Sequence, residues 1–136
     1  MRSDEGSVEE QLIALEQGKL DLAAFPHAEH VRLAFHMLER YPFGEAITRF
    51  SCGLKLLTAK IGKPEVYHET TTVAFPAVIG ERRAQWVGST WSEFIAANED
   101  LLDKSCLSHW YEPEQLASEI ARRTFVLPRR RGFELS

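Results

Sequence analysis

Apolar residues recur along this chain at helical intervals, and the breaks between apolar stretches fall at glycine, proline or small hydroxyl residues. Ile47, Phe50, Leu54 and Leu57 repeat at a period near 3.6, the mark of a helix with one buried face. Start and stop signals divide the chain into about six helical segments. Ser7-Val8-Glu9-Glu10 has the form of a capping box, so a first helix is predicted from about 8 to 17, ending at Gly18. Pro26 can open a second helix that Tyr41-Pro42 closes. A third runs from Phe43 toward Ile61, stopped by Gly62 and Pro64. Thr90-Trp91-Ser92-Glu93 repeats the capping form before a fifth helix reaching about Leu102, and Glu112-Pro113-Glu114 opens a last helix that Pro128 ends.

The fourth segment, VYHETTTVAF, is the ambiguous one. Its threonines and valine favour a strand by propensity. A lone strand among helices would leave its backbone groups unpaired, so a helix from about Glu65 to Glu81, kinked at Pro76, is predicted instead. The expected fold is therefore all-α: one compact bundle of five or six helices over residues 1–136, with 1–6 a flexible N-terminus and 129–136 a basic tail.

Helical projection places several polar side chains on apolar faces. With His27 at zero and about 100° per residue, Val31, Ala34, Leu38 and Tyr41 fall within about 40° and His30 about 60° away. Glu29, Arg32, His36, Glu39 and Arg40 take the opposite face, so His36 is predicted to be solvated. On the fourth helix His68 aligns with Thr72, Phe75 and Ile79. On the fifth, Asn98 falls inside the apolar arc near Phe94 and Leu101. His27, His30, His68 and Asn98 thus share a predicted interior.

Buried imidazoles need partners for both ring nitrogens. A divalent metal is one solution, since residues three apart on a helix can converge on one ion and neutral imidazole is a common ligand. His27, His30 and His68 would then bind iron or zinc, leaving a position open for water or substrate as catalytic sites do. Thr72 or Asn98 would orient what occupies it, and Glu29, Glu65 or Glu69 could add a carboxylate. His109, in the loop before the last helix, could close over the site as a general acid or base. The alternative is a metal-free polar network that lines a ligand pocket or fixes packing. Arg123 could anchor an anionic substrate or pair with a carboxylate. Trp86, Trp91 and Trp110 could support a ligand or dimer surface, although core packing is their commoner task.

Composition narrows the classes. Of 136 residues, 44% are hydrophobic and 26% charged, which suits a folded domain. A net charge of −4 argues against a general nucleic-acid binder, and Arg129-Arg130-Arg131 is expected to be a solvated tail. The two cysteines, Cys52 and Cys106, lack the spacing of a zinc site or disulfide scaffold; Cys52, near Phe50 and Leu54, is predicted to be a small buried thiol. No stretch approaches the ~20 apolar residues of a bilayer span, and no signal core is evident, so a cytoplasmic protein without membrane partners is expected. Phosphate-binding glycine loops and a nucleophile elbow are missing from the sequence.

Taken together, FPHAEHVRLAF at 25–35, YHETTT at 67–72 and ARRTFVLP at 121–128 resemble a group of small, mostly uncharacterised bacterial helical proteins, over the span from His27 to Pro128. The resemblance implies that His27, His30 and His68 belong to one site, and it carries no reaction with it. Ferritin-like di-iron proteins fit less well, since only Glu65-Val66-Tyr67-His68 has their Glu-x-x-His form. The first reading from sequence is thus a small-molecule enzyme with one metal held by three histidines, working by iron-dependent oxidation or zinc-dependent hydrolysis or hydration. The second is a metal-free helical ligand-binding or protein-interaction module. A homodimer is compatible with either.

Overall fold

A computed structural model describes residues 2–21, 23, 25–88 and 90–129, with side chains from residue 7 onward. Among these residues there is no strand, and the fold is all-α. Seven α-helices follow in order: α1 (Arg2–Glu16), α2 (His27–Arg40), α3 (Phe43–Lys60), α4 (Glu69–Ala84), α5 (Trp91–Ala97), α6 (Pro113–Leu116) and α7 (Glu119–Arg123). Short 3-10 turns at Pro64–Val66, Glu99–Leu102 and Lys104–His109 join them.

Helix α2 is the centre of the bundle and touches α1, α3, α4, α5 and the Glu99–Leu102 turn. Its apolar arc explains this: Val31, Leu33, Ala34, Phe35 and Met37 are all buried, too wide a stripe for one neighbour to cover. Helix α3 contacts α1, α2 and α4. The α1/α3 approach depends on Gly53, where an added Cβ would lie only 2.4 Å from the Leu15 carbonyl oxygen. Trp86 and Trp91 pack with Phe35 and Phe94 in one aromatic cluster, with Phe35 and Phe94 centroids 4.9 Å apart. Core packing is therefore the task of these two tryptophans.

Helix ends follow local chemistry. Gly18 (φ 67°) and Gly62 (φ 78°) take the left-handed conformation that closes α1 and α3. At each, the next residue's amide reaches back five positions, Lys19 N–H to the Ala14 carbonyl at 2.8 Å and Lys63 N–H to that of Thr58 at 2.9 Å. Thr90 caps α5 as its sequence suggests, its hydroxyl accepting from the Glu93 amide at 3.1 Å.

Four boundaries differ from the sequence reading. Ser7 lies inside α1, whose backbone is helical from Arg2, so residues 2–6 extend the helix and the S-x-x-E motif caps nothing there. Helix α4 starts at Glu69 because the Pro64–Val66 turn and an extended Tyr67 come first; it then runs through Pro76 to Ala84. Helix α5 stops at Ala97, where the Asn98 amide side chain donates to the Phe94 carbonyl at 2.8 Å and its backbone leaves the helical region. The single predicted last helix is two short ones, split where the Ser118 hydroxyl caps α7 through the Ala121 amide at 3.2 Å.

Beyond α7 the chain is extended and strapped to the bundle. The Thr70 hydroxyl, fully buried, donates to the Thr124 carbonyl at 2.8 Å and accepts from the Val126 amide at 3.2 Å. Tyr111 Oη and Gln115 Nε2 donate to the Val126 and Leu127 carbonyls, each at 2.8 Å. These four bonds satisfy backbone groups that no helix ladder serves. The basic tail expected from position 129 falls outside the described residues beyond Arg129.

Candidate functional site

A cavity of about 410 Å³ opens between α2, α3, α4 and the Lys104 end of the 3-10 turn. His27, His30, His68 and Thr72 all line it, so four of the residues singled out from sequence meet in one place. Phe25, Val31, Ala34, Phe50, Leu57 and Phe75 form most of the apolar wall. The volume lies within the range of small-molecule pockets, as does the mix of apolar wall and few polar groups.

The three histidines arrive by different routes. His27 and His30 begin α2 and share a face through i,i+3 spacing. The His27 ring packs edge-on against Phe75, centroids 4.7 Å apart, and its Nε2 donates to the Leu101 carbonyl at 2.9 Å. With the proton on Nε2, Nδ1 is left as a lone-pair acceptor. His30 packs against Phe25, ring centroids 4.1 Å apart and tilted by 31°. Its pKa falls to about 4, chiefly through burial and then through the neighbouring His27, so the ring is neutral at pH 7. Burial lowers His27 as well, against the pull of the Leu101 bond.

His68 departs from the expectation of an inward residue on the fourth helix: it precedes the helix and caps it. Its Nδ1 accepts the Thr71 amide at 3.1 Å, and its Nε2 donates to the Leu116 carbonyl at 2.8 Å. Both ring nitrogens are thereby committed to backbone groups of α4 and α6. A metal ligand needs a free lone pair, and His68 has none without giving up the α4 cap.

The carboxylates do not replace it. Glu29 pairs with Arg32 at 2.8 Å, and Glu69 accepts the Tyr67 hydroxyl at 2.7 Å. Glu65 is exposed on the 3-10 turn before Tyr67. Among the described residues no group of three or more His, Cys, Asp or Glu side chains is placed to share an ion. The residues present therefore do not fit a three-histidine iron or zinc centre.

Other sequence candidates lie elsewhere. Asn98 ends α5, where its Oδ1 accepts from Arg82 at 3.2 Å; it does not reach the cavity wall. That arginine also holds Asp100 through two bonds, at 2.8 and 2.9 Å. His109 is exposed, stacked edge-on to Trp110 at 5.7 Å, and is not a lining residue. His36 is more covered than predicted, its side chain 15% exposed and its Nδ1 2.7 Å from Glu39 Oε1. Arg123 pairs with Glu119 at 3.4 Å on the surface. Cys52 is exposed, contrary to the buried thiol expected, because it sits on the outer side of α3 from Gly53 and Leu54; Cys106 is the buried one.

Two lining residues carry no warning in the sequence. Tyr67, half-buried, sits beneath Lys55, whose ammonium is 5.4 Å from the ring centre. Lys104, at the start of a 3-10 turn, is the cavity's charged rim. Only an element boundary at Asp103, whose carboxylate caps Ser105 at 2.9 Å, could have hinted that this lysine is fixed in place. Compared with known protein families, with curated proteins and with solved structures, the chain matches none.

Proposed function

We propose that this chain is a small-molecule binding module whose interior pocket works without a metal. One observation carries the reading. An apolar-walled cavity brings two neutral histidines together, each with one ring nitrogen that has no described protein partner, while the third histidine is spent on structure. Two acceptors beside aromatic walls suit a ligand with an apolar body and one polar end. Thr72, buried in the lining, adds a hydroxyl to the cavity wall.

Among the described residues no helix is long and apolar enough to cross a membrane.

The test is a calorimetric titration with 2-naphthylmethanol, an apolar ring system bearing one hydroxyl. Wild type should bind one equivalent. Ala34→Leu and Thr71→Phe, which fill the cavity from α2 and α4, should lose binding while keeping their helical circular dichroism. Reconstitution with zinc or iron(II), followed by elemental analysis, addresses the other reading. Stoichiometric metal in the parent that disappears in His27→Ala, His30→Ala and His68→Ala would overturn the proposal in favour of a metal centre.

A further inference from the structure

The charges around the pocket are unequal. Among the described residues, Lys104 is the only lining residue with a permanent charge, and no aspartate or glutamate lines the cavity. Two carboxylates next in sequence to lining residues are engaged: Asp103 accepts the Ser105 amide and hydroxyl, each at 2.9 Å, and Glu69 accepts the Tyr67 hydroxyl. Lys104 has no ion pair among the described residues. A cationic ligand would meet this ammonium with no carboxylate in the described lining to compensate it.

The histidines add a second constraint. His27 is left with Nδ1 as an acceptor, and the neutral His30 ring carries one lone-pair nitrogen as well. Lone pairs facing a carboxylate would repel it unless a proton lies between them. A weak acid satisfies both demands, because its negative charge matches Lys104 while one proton bridges an imidazole and an acid oxygen.

We propose that the ligand is an apolar weak acid, such as an aryl or alkyl monocarboxylate, held at its acid end by Lys104 and by a proton shared with the His27–His30 pair. This rests on the pocket-binding reading above. The groups that set the proton's position are Lys104 and Asp103 on the turn beside α2, His27 and His30 themselves, and His68 and Tyr67 across the cavity. At neutral pH the acid arrives as its anion, so the shared proton comes from solvent and binding takes up about one proton. Binding then strengthens as pH falls toward the range where the free acid and the imidazoles protonate.

Three probes of one shape separate the possibilities: 2-naphthoate, 2-naphthylmethanol and 2-naphthylmethylammonium, titrated at pH 7 in two buffers of different ionisation enthalpy. The expected order is naphthoate tightest and the ammonium weakest. Lys104→Gln, an exposed substitution, should weaken naphthoate by about three- to tenfold and the alcohol by clearly less. The buffer dependence should report proton uptake with naphthoate alone. Alcohol or ammonium binding as tightly as naphthoate would overturn the inference while leaving the pocket reading intact. Tight naphthoate binding with no proton uptake would overturn the role of the histidine pair. Failure of all three probes would remove the pocket reading itself.

Discussion

The clearest physical consequence of the buried imidazoles is acid sensitivity above the range where carboxylates titrate. His30 in the folded chain has a pKa of about 4, set first by loss of hydration and then by the positive charge that His27 and Lys104 bring near it; the Phe25 backbone opposes both. In the unfolded chain the ring titrates near 6.5. The unfolded state therefore binds a proton first as pH falls. Stability contributed by the neutral ring is complete above 6.5 and is lost progressively until the folded ring also protonates, near 4. At about 1.4 kcal/mol per pKa unit, the loss from His30 alone approaches 3 kcal/mol by pH 4. Against a typical total of 5–15 kcal/mol for a small domain, that is a large share. His27 and His36, both also lowered mainly by burial, act in the same direction.

Urea unfolding followed by circular dichroism at pH 7, 6, 5 and 4 measures this directly. The informative comparison is wild type against His30→Leu, which keeps an apolar wall and cannot titrate. The leucine variant is expected to fall with pH by about 3 kcal/mol less than wild type. Asp100 and Glu119, held below the usual carboxylate range by Arg82 and Arg122, and Asp103, held there by Ser105, lose their contributions at still lower pH and equally in both proteins. Parallel stability curves between pH 6.5 and 4 would refute the reasoning and place His30 in contact with water.

Three further outcomes are expected. Gly53→Ala should cost about 3 kcal/mol or more in thermal unfolding, because the new methyl group meets the Leu15 backbone at 2.4 Å and α1 must move away; an unchanged melting temperature would mean that the two helices are not in close contact. Thr70→Val should cost about 2 kcal/mol by removing the hydroxyl that serves both the Thr124 carbonyl and the Val126 amide, with Thr70→Ser recovering most of it; a Thr70→Val variant as stable as wild type beside a destabilised Thr70→Ser would point to the methyl group instead. In a thiol-reagent assay on folded protein Cys52 should react at once, whereas Cys106, buried and with its thiol pushed up to about 11, should react only on unfolding; simultaneous reaction would contradict its place in the core.

The long elements were legible because their signals are local. Helix α2 begins one residue after Pro26 and ends at Arg40, one residue before the Tyr41-Pro42 stop, and α3 ends just short of Gly62. The errors came where a side chain's partner lies on another part of the chain or where a motif admits more than one use. Ser7-Val8-Glu9-Glu10 has the right letters for a helix start, but nothing upstream stops the helix from beginning earlier, and it does. Propensity could not locate the end of the last helix at Arg123 either, because the extended 124–127 segment is held by Thr70, Tyr111 and Gln115.

The site divides along the same line. Helical spacing alone sufficed to bring His27 and His30 to one face, since residues three apart on α2 are neighbours whatever surrounds them. It also brought His68 to the correct cavity for an incorrect reason: the residue belongs to no helical face, and reaches the pocket as the cap of α4. Position and chemistry then separate. Periodicity can say where a ring lies, but the availability of its lone pair depends on which backbone groups arrive at its two nitrogens. For His68 these are the amide of Thr71, three residues on, and the carbonyl of Leu116 from a different helix. For His27 the decisive group is the carbonyl of Leu101, on a turn whose position no local pattern predicts. The same three histidines could belong to a metal centre in a chain that folded these segments differently. Here the distant carbonyls fix the tautomers of His27 and His68, and with them the kind of ligand the pocket can accept.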